Sequence, residues 1–167
     1  MSSNKVDIFV KDVSGRNVVA TEVWATEAAA TAIYAGEPVK NKSTGSPYVI
    51  PLADGDPTTS TATPVVGIAK SNGTHTASAD GTVEVYVVDA NTILAAKAKS
   101  STAADTASEI AALKGKQVVL DLTSGTYTVD TAAANANTNG IVCVGGDHEK
   151  GLIYFKIRSF ALQGPIA

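Results

Sequence analysis

Residues 82–88 read Thr82-Val83-Glu84-Val85-Tyr86-Val87-Val88, and residues 152–158 read Leu152-Ile153-Tyr154-Phe155-Lys156-Ile157-Arg158. In the first stretch Val83, Val85 and Val87 alternate with Thr82, Glu84 and Tyr86. In the second, Ile153, Phe155 and Ile157 alternate with Tyr154, Lys156 and Arg158. Successive side chains of a strand point to opposite faces, so period two predicts half-buried antiparallel strands. Val118, Leu120 and Leu122 alternate with Gln117, Val119 and Asp121 in the same way, and Thr126 to Asp130 offers Tyr127 and Val129 to one face. Thr123-Ser124-Gly125 between these two predicts a short hairpin connection.

Working outward, shorter strands are predicted at Val6 to Val10, Val18 to Trp24, Pro38 to Lys42, Tyr48 to Pro51, Val65 to Ala69 and Ile141 to Val144. Turn-forming clusters punctuate them, among them Ser14-Gly15, Thr44-Gly45-Ser46-Pro47, Asp54-Gly55-Asp56-Pro57, Asp80-Gly81 and Gly145-Gly146-Asp147. One helix is predicted over Thr106 to Lys114. Thr106 and Glu109 have capping-box spacing, Ile110 to Leu113 follow, and Gly115 supplies a stop. Ala28 to Tyr34 reads equally as a helical turn or a loop, and residues 53–63 and 131–139, small and polar, as surface loops. The predicted fold is all-β, since many short strands at close spacing point to an antiparallel barrel or sandwich, with one short helix. Residues 13–167 form its single domain, and residues 1–12 are either an N-terminal arm or the first strand.

The chain also echoes itself. Gly67-Ile68-Ala69, a turn-rich gap and Gly81-Thr82-Val83-Glu84-Val85-Tyr86 parallel Gly140-Ile141-Val142, a gap and Gly151-Leu152-Ile153-Tyr154-Phe155-Lys156. Two hairpins built alike, or a duplicated half-barrel, would each produce this.

Composition narrows the function classes. Ala and Thr supply 46 of 167 residues while aromatics are 5%, so the core rests on Val, Ile, Leu and a few rings. A core so poor in large side chains suits a protein that gains stability from neighbours. The net charge is −3 and no basic block occurs, so no nucleic-acid partner is expected. No apolar run reaches the roughly 18 residues of a membrane span, and none follows Met1 to Lys5 as a signal peptide would require. The single cysteine, Cys143, excludes an internal disulfide and fits assembly in a reducing compartment.

Enzyme chemistry finds no foothold. Asp147-His148-Glu149 places adjacent side chains in different directions, with no second His or Cys at ligand spacing. His75 falls in a polar turn and reads as a surface residue. Cys143 follows Ile141 at period two and reads as a buried thiol. No Gly-x-Ser-x-Gly elbow or phosphate-cradling loop is present. Asp54-Gly55-Asp56 lacks the spaced ligands of a calcium loop. Glu149-Lys150-Gly151 resembles the acylated hairpin of lipoyl and biotinyl carrier domains only loosely, since Gly follows the lysine and those domains are far shorter. No catalytic residue, metal site or cofactor is expected.

A family resemblance lies in the order of four segments. They are Tyr34-Ala35-Gly36-Glu37-Pro38-Val39-Lys40, Tyr48-Val49-Ile50-Pro51-Leu52-Ala53-Asp54-Gly55-Asp56, Val65-Val66-Gly67-Ile68-Ala69 and Asp80-Gly81-Thr82-Val83-Glu84-Val85-Tyr86. Over residues 33–88 this order resembles the head decoration (cement) proteins of tailed bacteriophages. The resemblance implies a compact antiparallel β-barrel or β-tulip-like domain, and a non-enzymatic virion protein that binds the outer capsid surface and stabilises its lattice. It also implies assembly in the host cytoplasm, a homotrimer on the capsid, and the major capsid protein as partner through an N-terminal arm. In that arm Val6, Ile8 and Val10 alternate with Asp7, Phe9 and Lys11, and Val6, Ile8, Phe9 and Val10 are the expected interface residues. The alternative is another phage or surface structural module: a tail-tube, fibre-base or adhesin-like β domain.

Overall fold

The computed structural model describes residues 8–12, 20–61 and 63–162. The strands are β1 (Phe9–Asp12), β2 (Thr21–Thr26), β3 (Pro38–Asn41), β4 (Val49–Pro51), β5 (Val65–Ala69), β6 (Gly81–Val87), β7 (Ile93–Lys97), β8 (Gln117–Thr123), β9 (Thr126–Asp130), β10 (Ile141–Asp147) and β11 (Leu152–Ile157). The helix α1 (Ala107–Leu113) lies between β7 and β8. All strand-to-strand ladders are antiparallel, and the chain is an all-β protein of two sheets with one α-helix among the described residues.

The two sheets repeat one topology. One runs β2-β6-β5-β3-β4; the other runs β1-β7-β11-β10-β8-β9. Without β1, both follow the order first, fifth, fourth, second, third. In both, a parallel bridge draws the first strand toward the third: Ala25 to Tyr48 beside β4, and Ala98 beside β7 to Val129. The molecule is therefore a tandem of two five-stranded, barrel-shaped units, with β1 added to the second. The sequence echo falls on the equivalent hairpins β5–β6 and β10–β11, and its apolar positions face inward in both. Val83 and Val85 are buried in the first unit, as are Ile153 and Phe155 in the second.

Each unit has its own apolar cluster, and the two meet. Ile33, Val39, Val49, Val66, Ala69, Val83 and Val85 fill the first, with Trp24 packed against them. The second contains Leu94, Val118, Leu120, Tyr127, Ile141, Cys143 and Phe155, and it also takes in Leu52, Val65, Ile68 and Val88 from the first unit's segments. The two faces of β5 thus serve different cores, which is why all five of its residues are buried. Gly67, central in β5, is required by contact: a Cβ there would stand 2.0 Å from the Tyr86 carbonyl oxygen of β6.

The helix has the predicted capping box. Thr106 accepts from the Glu109 amide at 3.2 Å, and the Glu109 carboxylate accepts from the Thr106 amide at 3.1 Å. Ala28 to Tyr34 is loop, not helix. The strand β7 is absent from the predicted set, because Leu94-Ala95-Ala96 carries neither β-branching nor alternation. β10 continues through Gly145 and Gly146, predicted as a turn, with a register shift between Cys143 and Gly145 that lets the strand bend.

The segments 53–61 and 131–139 are not simply surface loops. The Gly55 amide donates to the Leu120 carbonyl at 3.0 Å, the Leu120 amide to Asp56 at 2.8 Å, and the Gly140 amide to Pro57 at 2.7 Å. The first unit's loop thereby supplies β8 with backbone partners beyond the two residues, Gln117 and Val118, that pair with β10. Pro57, Thr131 and Asn139 are buried at this junction. Polar composition misleads here because several backbone groups of the two segments bond across to the other unit.

Candidate functional site

A groove of about 730 Å³ lies on the first unit, lined by Glu22, Val23, Trp24 and Ala25 of β2, Asn41 of β3, Gly45, Ser46 and Pro47 of the β3–β4 turn, and Thr82. It lies where the barrel-shaped sheet stays unsealed. Below it Ala25 bridges to Tyr48; above it, Thr21 to Trp24 of β2 have no strand on their outer side among the described residues.

Strand geometry fixes which backbone groups face the groove. Glu84, directly opposite Val23, turns its carbonyl to the Lys70 amide (2.7 Å) and its amide to the Ser71 hydroxyl (3.1 Å), both away from β2. Opposed residues in an antiparallel ladder either exchange both bonds or neither, so Val23 also turns its N–H and C=O outward. Thr21 does the same two residues earlier, whereas Ala20, between β1 and β2, accepts from the Val87 amide at 2.9 Å. Among the described residues, these outward peptide groups of Thr21 and Val23 pair with no strand.

The side chains around it are unusual in the same way. Val23 is 67% exposed, a large apolar residue out in solvent. Trp24 packs on the first core, yet its indole Nε1 is buried without a hydrogen-bond partner among the described residues. Asn41 is 7% exposed, and its Oδ1 is likewise buried and unpartnered. An unmet buried donor or acceptor costs about 1–3 kcal/mol, so the groove holds one of each at a standing cost. Glu22 at the mouth is exposed and has no ion-pair partner among the described residues, while its neighbours are engaged: Glu27 with Lys42, Glu84 with Lys70. An extended peptide, with its own alternating N–H and C=O groups, matches this set.

The residues singled out in the sequence fall elsewhere. Val6 lies outside the described residues. Phe9 in β1 pairs with Ala95 of β7 and Val10 with Leu94; Ile8 is 3% exposed within the second core, and Val10 packs against that core. Trp24 and Val23 carried a signal, an apolar pair on both faces of one predicted strand.

The remaining chemistry-bearing groups are structural. Cys143 is buried, and burial pushes its thiol up to about 11, which leaves almost no thiolate at neutral pH. Asp147 accepts from Lys150, which holds its carboxyl below the usual range and keeps the ammonium ion-paired at 3.2 Å. His75 is half-buried rather than on the surface, with Nε2 3.0 Å from the Ala30 carbonyl of the loop after β2. Asp56 binds Lys40 at 2.8 Å and Thr61 at 2.9 Å, and Asp54 accepts from the Leu122 amide. No group of three or more potential metal ligands occurs among the described residues. No helix among them is long and apolar enough to cross a membrane. Compared with known proteins, the chain matches no family model, no curated protein and no solved structure.

Proposed function

We propose that this chain is a structural virion protein that binds the outer surface of a tailed-phage head and stabilises its lattice, as a homotrimer against the major capsid protein. The observation that carries the reading is the ordered set Gly36-Glu37-Pro38-Val39, Val66-Gly67-Ile68-Ala69 and Gly81 to Tyr86, which resembles the layout of head decoration proteins. These segments are neighbours in the first unit. The Gly36 amide donates to Ala69 at 2.7 Å, the Ala69 amide to Glu37 at 2.8 Å, and β5 pairs with β6. The set therefore describes one structural unit rather than scattered turns. A strand edge that pairs with no other strand among the described residues suits a protein whose work is attachment.

Reconstruction of the particles that contain this chain tests the reading. Density for the two-unit fold repeated over the outer face of the head, around threefold positions, is the expected result. Density confined to the tail, the fibre base or the head interior overturns it, and the first two locations would establish the tail-tube or fibre-base alternative instead.

A further inference from the structure

The internal repeat indicates what belongs in the groove. The β6 strand sets Trp24 opposite Val83 and Glu22 opposite Val85, and β11 sets Ala96 opposite Ile153 and Leu94 opposite Phe155. Because Val83 and Val85 correspond to Ile153 and Phe155, Trp24 corresponds to Ala96, Val23 to Ala95 and Glu22 to Leu94. On β7 that edge is covered: β1 lies along it, and Leu94, Ala95 and Ala96 are at most 1% exposed. On β2 the equivalent edge pairs with no strand among the described residues, and Glu22 to Trp24 of that edge line the groove.

Resting on the function proposed above, we infer that β2 receives an extended segment of the head-shell protein as an added antiparallel strand along Thr21 to Trp24, in the place β1 occupies on β7. Its backbone pairs with the outward peptide groups of Thr21 and Val23. It presents an apolar side chain to Trp24, as β1 brings Ile8 into the second core, and a basic side chain to Glu22, where the second unit has Leu94 against Val10. A second copy's N-terminal strand is the poorer occupant. It is held on β7 by its own chain with Ile8 buried, and it carries Val10 where Glu22 calls for a cation.

Trp24 is the only tryptophan, so its emission reports the groove directly. The full chain is titrated with a synthetic peptide of residues 5–12 carrying Val10→Lys, and in parallel with the unsubstituted peptide. The expected result is a blue shift of Trp24 emission and slowed amide exchange at Thr21 and Val23, with the lysine peptide binding at least about tenfold more tightly. The preference should reverse in Glu22→Lys. No emission change with either peptide overturns the inference; tighter binding of the unsubstituted peptide replaces it with strand exchange between copies. Val23→Pro removes an outward N–H without touching the β6 ladder, and its folding is checked by melting. Stripped phage heads should then bind the wild-type chain and not folded Val23→Pro. If Val23→Pro binds heads as well as wild type, the inference falls and the head reading stands. If the wild type binds no heads, the head reading falls and the shell protein is excluded as the occupant.

Discussion

The Tyr127 hydroxyl donates a 2.6 Å hydrogen bond to the Leu52 carbonyl, joining β9 of the second unit to the residue after β4 of the first. Both residues are buried, at 0% and 2% exposure. The bond lies in a buried part of the contact between the units, so its loss leaves a dry carbonyl rather than a hydrated one. Tyr127→Phe should lower unfolding stability by about 1–3 kcal/mol, read from denaturant melts. Burial, and then the charges of Glu37 and Asp56, push the Tyr127 phenol above the ordinary tyrosine range. In an alkaline absorbance titration of the folded wild type, the amplitude should therefore fall one tyrosine short of the five in the sequence, and Tyr127→Phe should not reduce it.

Gly67 tests the close approach of β5 and β6. Alanine there would put its Cβ 2.0 Å from the Tyr86 oxygen and 2.8 Å from a Val85 methyl, and neither strand can retreat because β5 is packed on both faces. Gly67→Ala should destabilise the protein by about 1–3 kcal/mol or more, the range for overpacking a filled core. Gly45→Ala is the contrasting control: it has open space but a φ of +74°, so its cost comes from backbone strain alone. A smaller loss at Gly67 than at Gly45 would contradict the packing.

Glu37 is 4% exposed, and burial raises its carboxyl above the ordinary value even though it accepts from the Tyr34 amide at 2.9 Å. A raised folded value means the folded state holds the proton more tightly. The contribution is therefore fully present below the unfolded value, about 4.3, and is lost as pH rises through the folded one. At neutral pH the buried charge works against folding. Glu37→Gln keeps an acceptor for Tyr34 and removes that charge, so its melting temperature should exceed wild type at pH 7, with the gap closing toward pH 4. A gap independent of pH would show that something other than ionisation is responsible.

The strands with alternating branched residues, β6, β8, β9 and β11, were legible because each buries one face. So was α1, whose cap is written in two residues. The duplicated topology was visible only as the hairpin echo, since Val83 and Ile153 share a role but little else of the two units shares a sequence. The strand β7 was hidden because Ala95 and Ala96 are buried by small size, without the shape that marks a strand. Of the groove, only the apolar pair Val23 and Trp24 left a mark in the sequence. Glu22 to Ala25 and Asn41 to Pro47 lie in two separate stretches of the chain, and they form a site only because β2 and the β3–β4 turn stop short of closing. The sequence pointed instead to residues 6–10 as the attachment segment, on alternation alone. Alternation describes any edge strand and does not say which sheet, its own or a partner's, the strand will join.

That question yields the last prediction. Among the described residues of the segment, Phe9 and Val10 pair with β7, and Ile8 enters the second core. Ile8→Ala should cost about 2–5 kcal/mol, the range for emptying a buried aliphatic site. Deleting residues 1–12 should cost at least as much, because the β7 edge over Leu94 to Ala96 is then uncovered as well. The effect should be confined to the second unit. Amide exchange should accelerate in β7 and β11 first, while β3 and β5 keep their protection, since the first core takes in no described side chain of β1. Trp24 emission should stay unchanged in the truncated protein under native conditions, because the groove belongs to the other unit. A truncated protein that melts like wild type would show that β1 contributes nothing to the fold and is free to leave β7, restoring the arm as the attachment segment. A protein that loses both units together would show instead that the shared contacts of Leu52, Val65 and Ile68 bind the two cores into one cooperative whole.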